Sequence, residues 1–455
     1  MNRSQLLGEE KIGKLLLMFS VPAIIGMLVN GLYNIIDRIF VGRGVGSLAL
    51  SGIAISFPIP LIIMAFGMLI GLGGTSLISI RLGQGRREEA EKIVGNSLAL
   101  LLIISVVISV LGFMFLDPLL RLFGASKEVL PYARQFTSVL VWGAAFQGVG
   151  FGMNNFIRAE GNPRTAMITM VMGAVLNTIL NPFFIFALKL GVAGSALATV
   201  ISQFIISLWV LSYFLGDKAV LKLRWRNLRP DPKIVRSIVG IGMSPFTMQL
   251  LASLVTIVFN KSFARYGGDL AIASMGIVNS VAMLIFMPVF GINQGAQPII
   301  GFNFGARKYG RVKQAFKLGV IAATSVMTLG FLAVEIFPAA IMSLFSAGDT
   351  ELIRLGTQGL RIYLIFLPIV GFQTAAVNYF QATGKPKKSL LMTLSRQAIF
   401  LIPMILILPH FFGLKGVWMA APASDLASSI LTAALLITDL KRLGFNEKEA
   451  SPSEG

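Results

Sequence analysis

The sequence predicts an all-α polytopic membrane protein in which twelve transmembrane helices form two six-helix bundles related by pseudo-two-fold symmetry. Three observations carry that prediction. Of the 455 residues, 55% are hydrophobic and 13% charged, and the mean hydropathy is +0.79, far from the balance of a soluble domain. Twelve apolar runs are each long enough to cross a hydrocarbon layer of about 30 Å. The last six runs repeat landmarks of the first six at an offset of about 222 residues.

The runs fall near 15–36, 51–80, 94–116, 136–157, 166–188, 191–215, 238–260, 271–301, 315–337, 358–381, 390–411 and 414–437. Arg3, Lys11 and Lys14 precede the first, and no small-residue cleavage site follows it, so it reads as a retained span. The stretches 166–215 and 390–437 are nearly continuous and are divided at Gly191 and Gly413. The repeat pairs Val21-Pro22 with Ser244-Pro245, Gly67 and Gly71 with Gly291 and Gly295, Asn155 with Asn378, Gly161-Asn162-Pro163 with Gly384-Lys385-Pro386, and Gly194 with Gly416. Each copy holds an even number of spans, so the copies share one orientation and are related by an axis along the membrane normal, a transporter architecture. The expected organisation is an N-terminal lobe 1–216, a basic linker 217–236, a C-terminal lobe 237–440 and a tail 441–455.

Charge gives the topology. The net charge of +19 would suggest nucleic acid in a soluble chain, but 27 of the 39 Lys and Arg residues lie at the N-terminus, in the connections after the even-numbered spans and in the tail. Both termini are therefore expected in the cytoplasm, with the chain in a bacterial or archaeal plasma membrane and no nucleic-acid partner. Cysteine is absent and there is one histidine, His410, read as interfacial. No Walker A loop, G-x-S-x-G elbow or HExxH pair is present, so the chain is not expected to be an enzyme or an ATP-driven pump, and the remaining energy source is a gradient.

The first span carries the costliest residue. Asn30, Asn34 and Asp37 share one helical face, with Tyr33 in the same stretch. A carboxylate at the edge of hydrocarbon points to a functional site; the alternative is a headgroup-level acid beside Arg38. The equivalent helix presents Gln249, Ser253, Thr256 and Asn260, with Asn260 opposite Asp37. Asn177 and Asn181 lie on one face of the fifth span before Pro182, and Thr199 lies on the sixth. These groups read either as helix-packing glue or as ligands around Asp37. Arg396 in the eleventh span reads as snorkelling to the interface or lining a cavity. Glu160 reads as a cytoplasmic ion pair among Arg158 and Arg164, and Glu335 and Asp425 as structural. Pro22, Pro58, Pro60, Pro245 and Pro288 lie within spans and are expected to bend them. The 20 Met and 34 Phe residues would suit an adaptable apolar pocket.

Taken together, several motifs resemble the multidrug and toxic compound extrusion (MATE) family, in its DinF/MepA-like branch. They are Leu32-Tyr33-Asn34-Ile35-Ile36-Asp37 with Val41-Gly42, Arg158-Ala159-Glu160-Gly161-Asn162-Pro163, Gly191-Val192-Ala193-Gly194 continuing to Ala198-Thr199, Gly291-Ile292-Asn293-Gln294-Gly295-Ala296-Gln297-Pro298, and Ser395-Arg396-Gln397 leading to Leu401-Ile402-Pro403. The resemblance implies a twelve-helix, two-lobe antiporter in membrane lipid, without cofactor, exporting cationic or amphipathic small molecules in exchange for Na+ or H+; a monomer is expected, with other oligomeric states left open. It implies that Asp37 is the coupling acid and the candidate Na+ position, with Asn177 and Thr199 beside it, and that Pro22 takes part in helix bending. Many relatives have Asp-Pro where this chain has Asn181-Pro182, so the resemblance leaves Asp37 to carry the charge change alone. The alternative within the same architecture is a flippase of lipid-linked precursors.

Overall fold

The computed structural model describes residues 3–45, 47–345 and 349–450. Eight helical segments are long and apolar enough to span a membrane, and two bent pairs, Leu130–Trp142 with Ala144–Ala159 and Thr350–Tyr363 with Leu367–Ala382, each make a further span. Two of the eight segments double back at a glycine. Pro232–Gly305 turns at Gly268 (φ +66°) and Pro386–Lys441 at Gly413 (φ +56°), conformations that a residue with a Cβ rarely adopts. Counting each half of those two separately gives twelve spans among the described residues.

In chain order they are Ile12–Gly44 (span 1), Leu48–Gly83 (span 2), Arg87–Met114 (span 3), the pair bent at Gly143 (span 4), Pro163–Ala187 (span 5), Gly191–Leu215 (span 6), 232–267 (span 7), 269–305 (span 8), Tyr309–Ile336 (span 9), the pair bent near Leu364 (span 10), 386–412 (span 11) and 414–441 (span 12). Gly191, where the sequence divides spans 5 and 6, also has positive φ (+58°). Pro58 falls at a helix start, whereas Pro22, Pro245 and Pro288 are accommodated inside helices that continue past them.

The cores show how the two bundles meet. One continuous apolar cluster draws on both halves, from Leu15 and Phe19 of span 1 and Phe156 of span 4 to Ile299 of span 8 and Tyr379 and Phe380 of span 10. All of these lie near the end of the molecule that carries the N-terminus and the basic linker. Toward the opposite end the cores separate: Val255, Phe263, Met327 and Trp418 belong to a cluster of the second half alone, while Val41, Phe136 and Val192 belong to one of the first half alone. The bundles therefore share a core at the basic end and part toward the other.

Glycines let the backbones close that seam. A Cβ on Gly242 would overlap the Leu69 carbonyl oxygen, one on Gly83 that of Phe302, and one on Gly305 that of Ile80. Gly291 and Gly295, at GxxxG spacing, lie against the span 1 backbone at Ile24 and Ser20. Polar groups fasten the same end. Gln297 Nε2 donates to Ser76 Oγ at 2.9 Å across the seam. The short helix Arg3–Glu9 is held by second-half donors, with Asn303 Nδ2 reaching Leu7 O at 3.0 Å, Lys308 Nζ reaching Gly8 O at 2.9 Å and Arg311 Nη2 reaching Glu10 O at 2.6 Å. These donors satisfy carbonyls left open where that helix ends.

The linker is docked and not loose. Glu160 accepts from Val220 N and Leu221 N, both at 3.1 Å, and from the Tyr213 hydroxyl. Glu91 accepts from Lys222 N at 3.3 Å and pairs with Arg224 at 2.9 Å, and Asn96 Oδ1 accepts from Asp231 N at 2.6 Å. The expected ion pair of Glu160 with Arg158 or Arg164 gives way to this arrangement. Residues two apart on a helix do not face each other, and Arg158 turns inward while Glu160 faces the linker. The second half reverses the pieces, placing Tyr379 at the end of span 10 and Asp439 on span 12, where Asp439 accepts from Tyr379 at 2.9 Å and from Lys385 and Lys388 at 2.5 Å.

Backbone carbonyls cannot yield as a flexible side chain can. Gly242→Ala is therefore expected to lower the thermal unfolding midpoint by an amount equivalent to about 1–3 kcal/mol of overpacking. Gly276→Ala, in span 8 with nothing within 4 Å of its Cβ position, is expected to leave the midpoint unchanged or raise it.

Candidate functional site

Three helices of the first half build the site. Span 1 brings Asp37 to its last turns. Span 5 runs as α-helix to Pro182 and then widens into a π-turn, Phe183–Ala187, before the Gly191 break. Proline has no N–H and its ring crowds the preceding turn, so a local change of winding follows naturally, and π-turns often accompany functional sites. Span 6 begins at Gly191 itself and presents Ser195 and Thr199, four apart on one face.

The side chains meet at the carboxylate. Ser195 Oγ donates to Asp37 Oδ1 at 2.7 Å, and Asn181 Nδ2 donates to the same oxygen. Asn181 and Ser195 are fully buried, and Asp37 is half-buried. One turn away, Asn177 Nδ2 donates to Thr199 Oγ1 at 3.1 Å, and Thr199 Oγ1 donates to Ser195 O at 3.2 Å. A connected polar network thus runs from Asn177 through Thr199 and Ser195 to Asp37 and Asn181. Hydrogen bonds to an ionised acceptor are the strong ones, and two of them converge on one oxygen of this acid.

The network opens onto a cavity. Asn30, Tyr33, Asn177 and Thr199 line it, joined by Gln203 of span 6 and Arg158 of span 4. Its wall is otherwise a mixture of amides and hydroxyls with Met27, Met170, Phe151 and Ile206. A substrate there would touch Asn177 and Thr199, which the hydrogen bonds connect to Asp37.

The structure thus brings together Asp37, Asn177, Asn181 and Thr199, and places Asn30 and Tyr33 on the cavity wall. The side chain of Asn34, and that of Arg38, lie outside the described residues. Pro22 sits lower on span 1, half-buried. Sequence reasoning missed Ser195 as a ligand of the acid. The signal was its position four residues before Thr199, which places both hydroxyls on one face.

The second half is arranged otherwise. None of Gln249, Ser253, Thr256, Asn260 and Arg396 lines the cavity described above. Ser253, Thr256 and Asn260 are exposed, Gln249 is half-buried, and the Thr256 hydroxyl donates to Ala252 O of its own helix at 2.8 Å. Arg396 does not snorkel. It sits in a π-turn of span 11, Ser395–Leu401, where its Nε reaches Asp425 Oδ1 of span 12 at 2.8 Å, while Ser424 Oγ donates to Arg396 O at 2.6 Å. Asp425, read from the sequence as a structural acid, is 8% exposed and supplies the partner that makes an interior guanidinium tolerable.

A family profile described as MatE matches the chain twice, over residues 22–183 and 246–407. The chain belongs to the MATE family. The two matches fall on the two halves of the internal repeat. The chain is 30% identical over 409 residues to the multidrug export protein MepA of Staphylococcus haemolyticus (strain JCSC1435), covering 90% of each. Among solved structures it is similar to the MATE multidrug transporter DinF-BH, solved as a complex, at 42% identity and a TM-score of 0.89, covering 95% of this chain and 97% of that one. It is similar also to a MATE transporter of the MOP superfamily in an outward-facing conformation, at 27% identity and a TM-score of 0.91, with 98% and 99% covered. This MATE chain is a multi-pass membrane transporter and not an enzyme.

Removing one partner of a buried ion pair leaves the other charge uncompensated. Arg396→Met or Asp425→Leu alone is expected to cost about 3 kcal/mol of stability, and the double substitution to recover most of that loss. Thermal unfolding of the three purified variants checks the expectation.

Proposed function

We propose that this chain is a secondary active exporter of cationic and amphipathic small molecules, driven by inward movement of Na+ or H+ through a coupling site built on Asp37. The observation that carries the proposal is the Asp37 carboxylate held by Asn181 and Ser195, with the Asn177–Thr199 pair linking it to a polar cavity. The multidrug-export names of its relatives support the substrate class.

The basic end is the cytoplasmic one by the positive-inside rule. The bundles share their core at that end and part at the other, so the conformation is closed to the cytoplasm and open outward. In this state the acid takes a cation from outside and substrate leaves. Either cation suits the oxygens available. A proton would neutralise Asp37 while its Oδ1 still accepts from Asn181 and Ser195. Na+, a hard ion, would take oxygens from Asp37, Ser195 and the Asn181 amide, whose Oδ1 is buried without a partner among the described residues. With an amide at 181 in place of a second acid, the charge change falls on Asp37 alone. Loading it removes the charge to which Asn181 and Ser195 donate, and Pro22, which lacks the N–H of an intact helix, is where span 1 bends as the lobes rock.

Efflux from proteoliposomes with Na+ and pH gradients imposed separately tests this reading. One of the two gradients should drive efflux by the wild-type protein, and Asp37→Asn should abolish gradient-driven efflux while expression and unfolding temperature stay close to wild type. Normal gradient-driven efflux by Asp37→Asn would overturn the proposal.

A further inference from the structure

We infer that the cytoplasmic end of the cavity is an oxyanion subsite centred on Arg158, so that the exporter accepts amphiphiles carrying a carboxylate or phosphate as well as purely cationic ones. The inference rests on the exporter reading above and names part of its substrate class.

Arg158 occupies the last turn of span 4 and is 4% exposed, yet its side chain forms part of the cavity wall. A guanidinium carries five N–H donors. Among the described residues this one makes a single hydrogen bond, from Nη2 to Asn155 Oδ1 at 2.5 Å, and no ion pair. The other interior or seam-side cations are treated differently: Arg396 has Asp425, Lys385 and Lys388 have Asp439, and Arg311 has the carbonyls of Leu7 and Glu10. A charge taken out of water without a counter-charge costs several kcal/mol and persists where function requires it.

The neighbouring groups fit a ligand. Gln294 of span 8 reaches the same cavity from the second half, and its Oε1 is buried without a partner among the described residues. The O and N of an amide are assigned from their hydrogen bonds, so Gln294 can equally present its NH2 to an anion. Asn154 donates to Ala166 O at 3.3 Å and leaves its own Oδ1 likewise buried without a partner, an acceptor for an N–H or O–H of the same ligand. A guanidinium capable of bidentate contact, with an amide NH2 that can be turned into the same cavity, is suited to a planar or tetrahedral oxyanion. Gln294 and Arg158 belong to different bundles, so the grip on the anion exists only while the cytoplasmic seam is closed.

Equilibrium binding without any gradient tests this separately from coupling. The probes are a rhodamine dye bearing a free carboxylate and the ethyl ester of the same dye, followed by fluorescence polarisation on purified protein in nanodiscs. Wild type is expected to bind the free acid roughly tenfold or more tightly relative to Arg158→Gln, whereas ester affinity should differ little between the two proteins. Arg158→Lys should restore part of the preference for the acid. Should Arg158→Gln not fold, the wild type alone decides: addition of sulfate or phosphate should displace the acid dye and leave the ester bound. Equal losses for both dyes in Arg158→Gln, or equal displacement of both by inorganic oxyanions, would overturn the inference. Because no gradient enters, a failure of Asp37 coupling leaves these outcomes unaffected.

Discussion

A carboxylate inside a membrane protein must be matched by donors that the protein itself supplies, because hydrocarbon offers none. Asp37 meets that requirement with an amide and a hydroxyl: Asn181 and Ser195 both donate to one of its oxygens. The geometry of spans 5 and 6 follows from delivering those two groups. Pro182 and the π-turn after it carry the chain away from Asn181, and the positive-φ turn at Gly191 starts span 6 at once, so that Ser195 arrives within its first turn or two. Because these matching groups are neutral, the acid can gain or lose a cation without stranding either of them as an orphaned charge. An acid matched by a salt bridge would lack that freedom, since neutralising it would strand its partner.

The internal repeat keeps the architecture while changing the chemistry. Spans 5 and 6 are cross-linked by Asn177–Thr199 in the first half, and spans 11 and 12 by Arg396–Asp425 in the second, each beside a π-turn. The first cross-link is neutral and next to an acid; the second is an ion pair that compensates itself. At the basic end, the tyrosine and the carboxylate that tie the fourth span of each half to its sixth have exchanged places. Two bundles with the same outline therefore have one locus where a carboxylate is held by neutral groups and one where an ion pair compensates itself. Between them the seam is dense at the basic end, where glycines admit carbonyl oxygens, while the cores separate at the other.

Much of this was legible in the sequence. Hydropathy is summed over about twenty residues, so the twelve spans and the breaks at Gly191 and Gly413 are legible with ends displaced by up to eight positions, as at 358 against Thr350. Asp37 stands out because helical spacing puts it on one face with Asn30 and Asn34, and Asn177 and Asn181 because they share a face of span 5; Thr199 is placed beside them by the family resemblance. What could not be read depends on how faces are turned toward one another. The contact of Ser195 with Asp37 rests on the π-turn and the tight turn that follow Pro182 and set where span 6 begins. Arg396 and Asp425 lie on different spans, and nothing local marks them as partners. For Arg158 and Glu160 the information was present: two residues apart on a helix point in different directions, so one was bound to face the interior while the other faced the linker. The polar stripe from Gln249 to Asn260 reads as a cavity wall by symmetry with span 1; Ser253, Thr256 and Asn260 are exposed, and none of the stripe joins the cavity beside Asp37.

The central claim is that one carboxylate exchanges a cation for substrate, and the most direct test counts that cation. Purified protein in detergent, preloaded with the coupling ion in a weakly buffered solution, is titrated with a cationic dye while released H+ and Na+ are measured by a pH indicator and an ion-selective electrode. The account predicts a single cation released per substrate bound by the wild-type protein and none released by Asp37→Asn, which still binds the dye. The same release from both proteins would contradict it, because the exchanging site would then lie elsewhere.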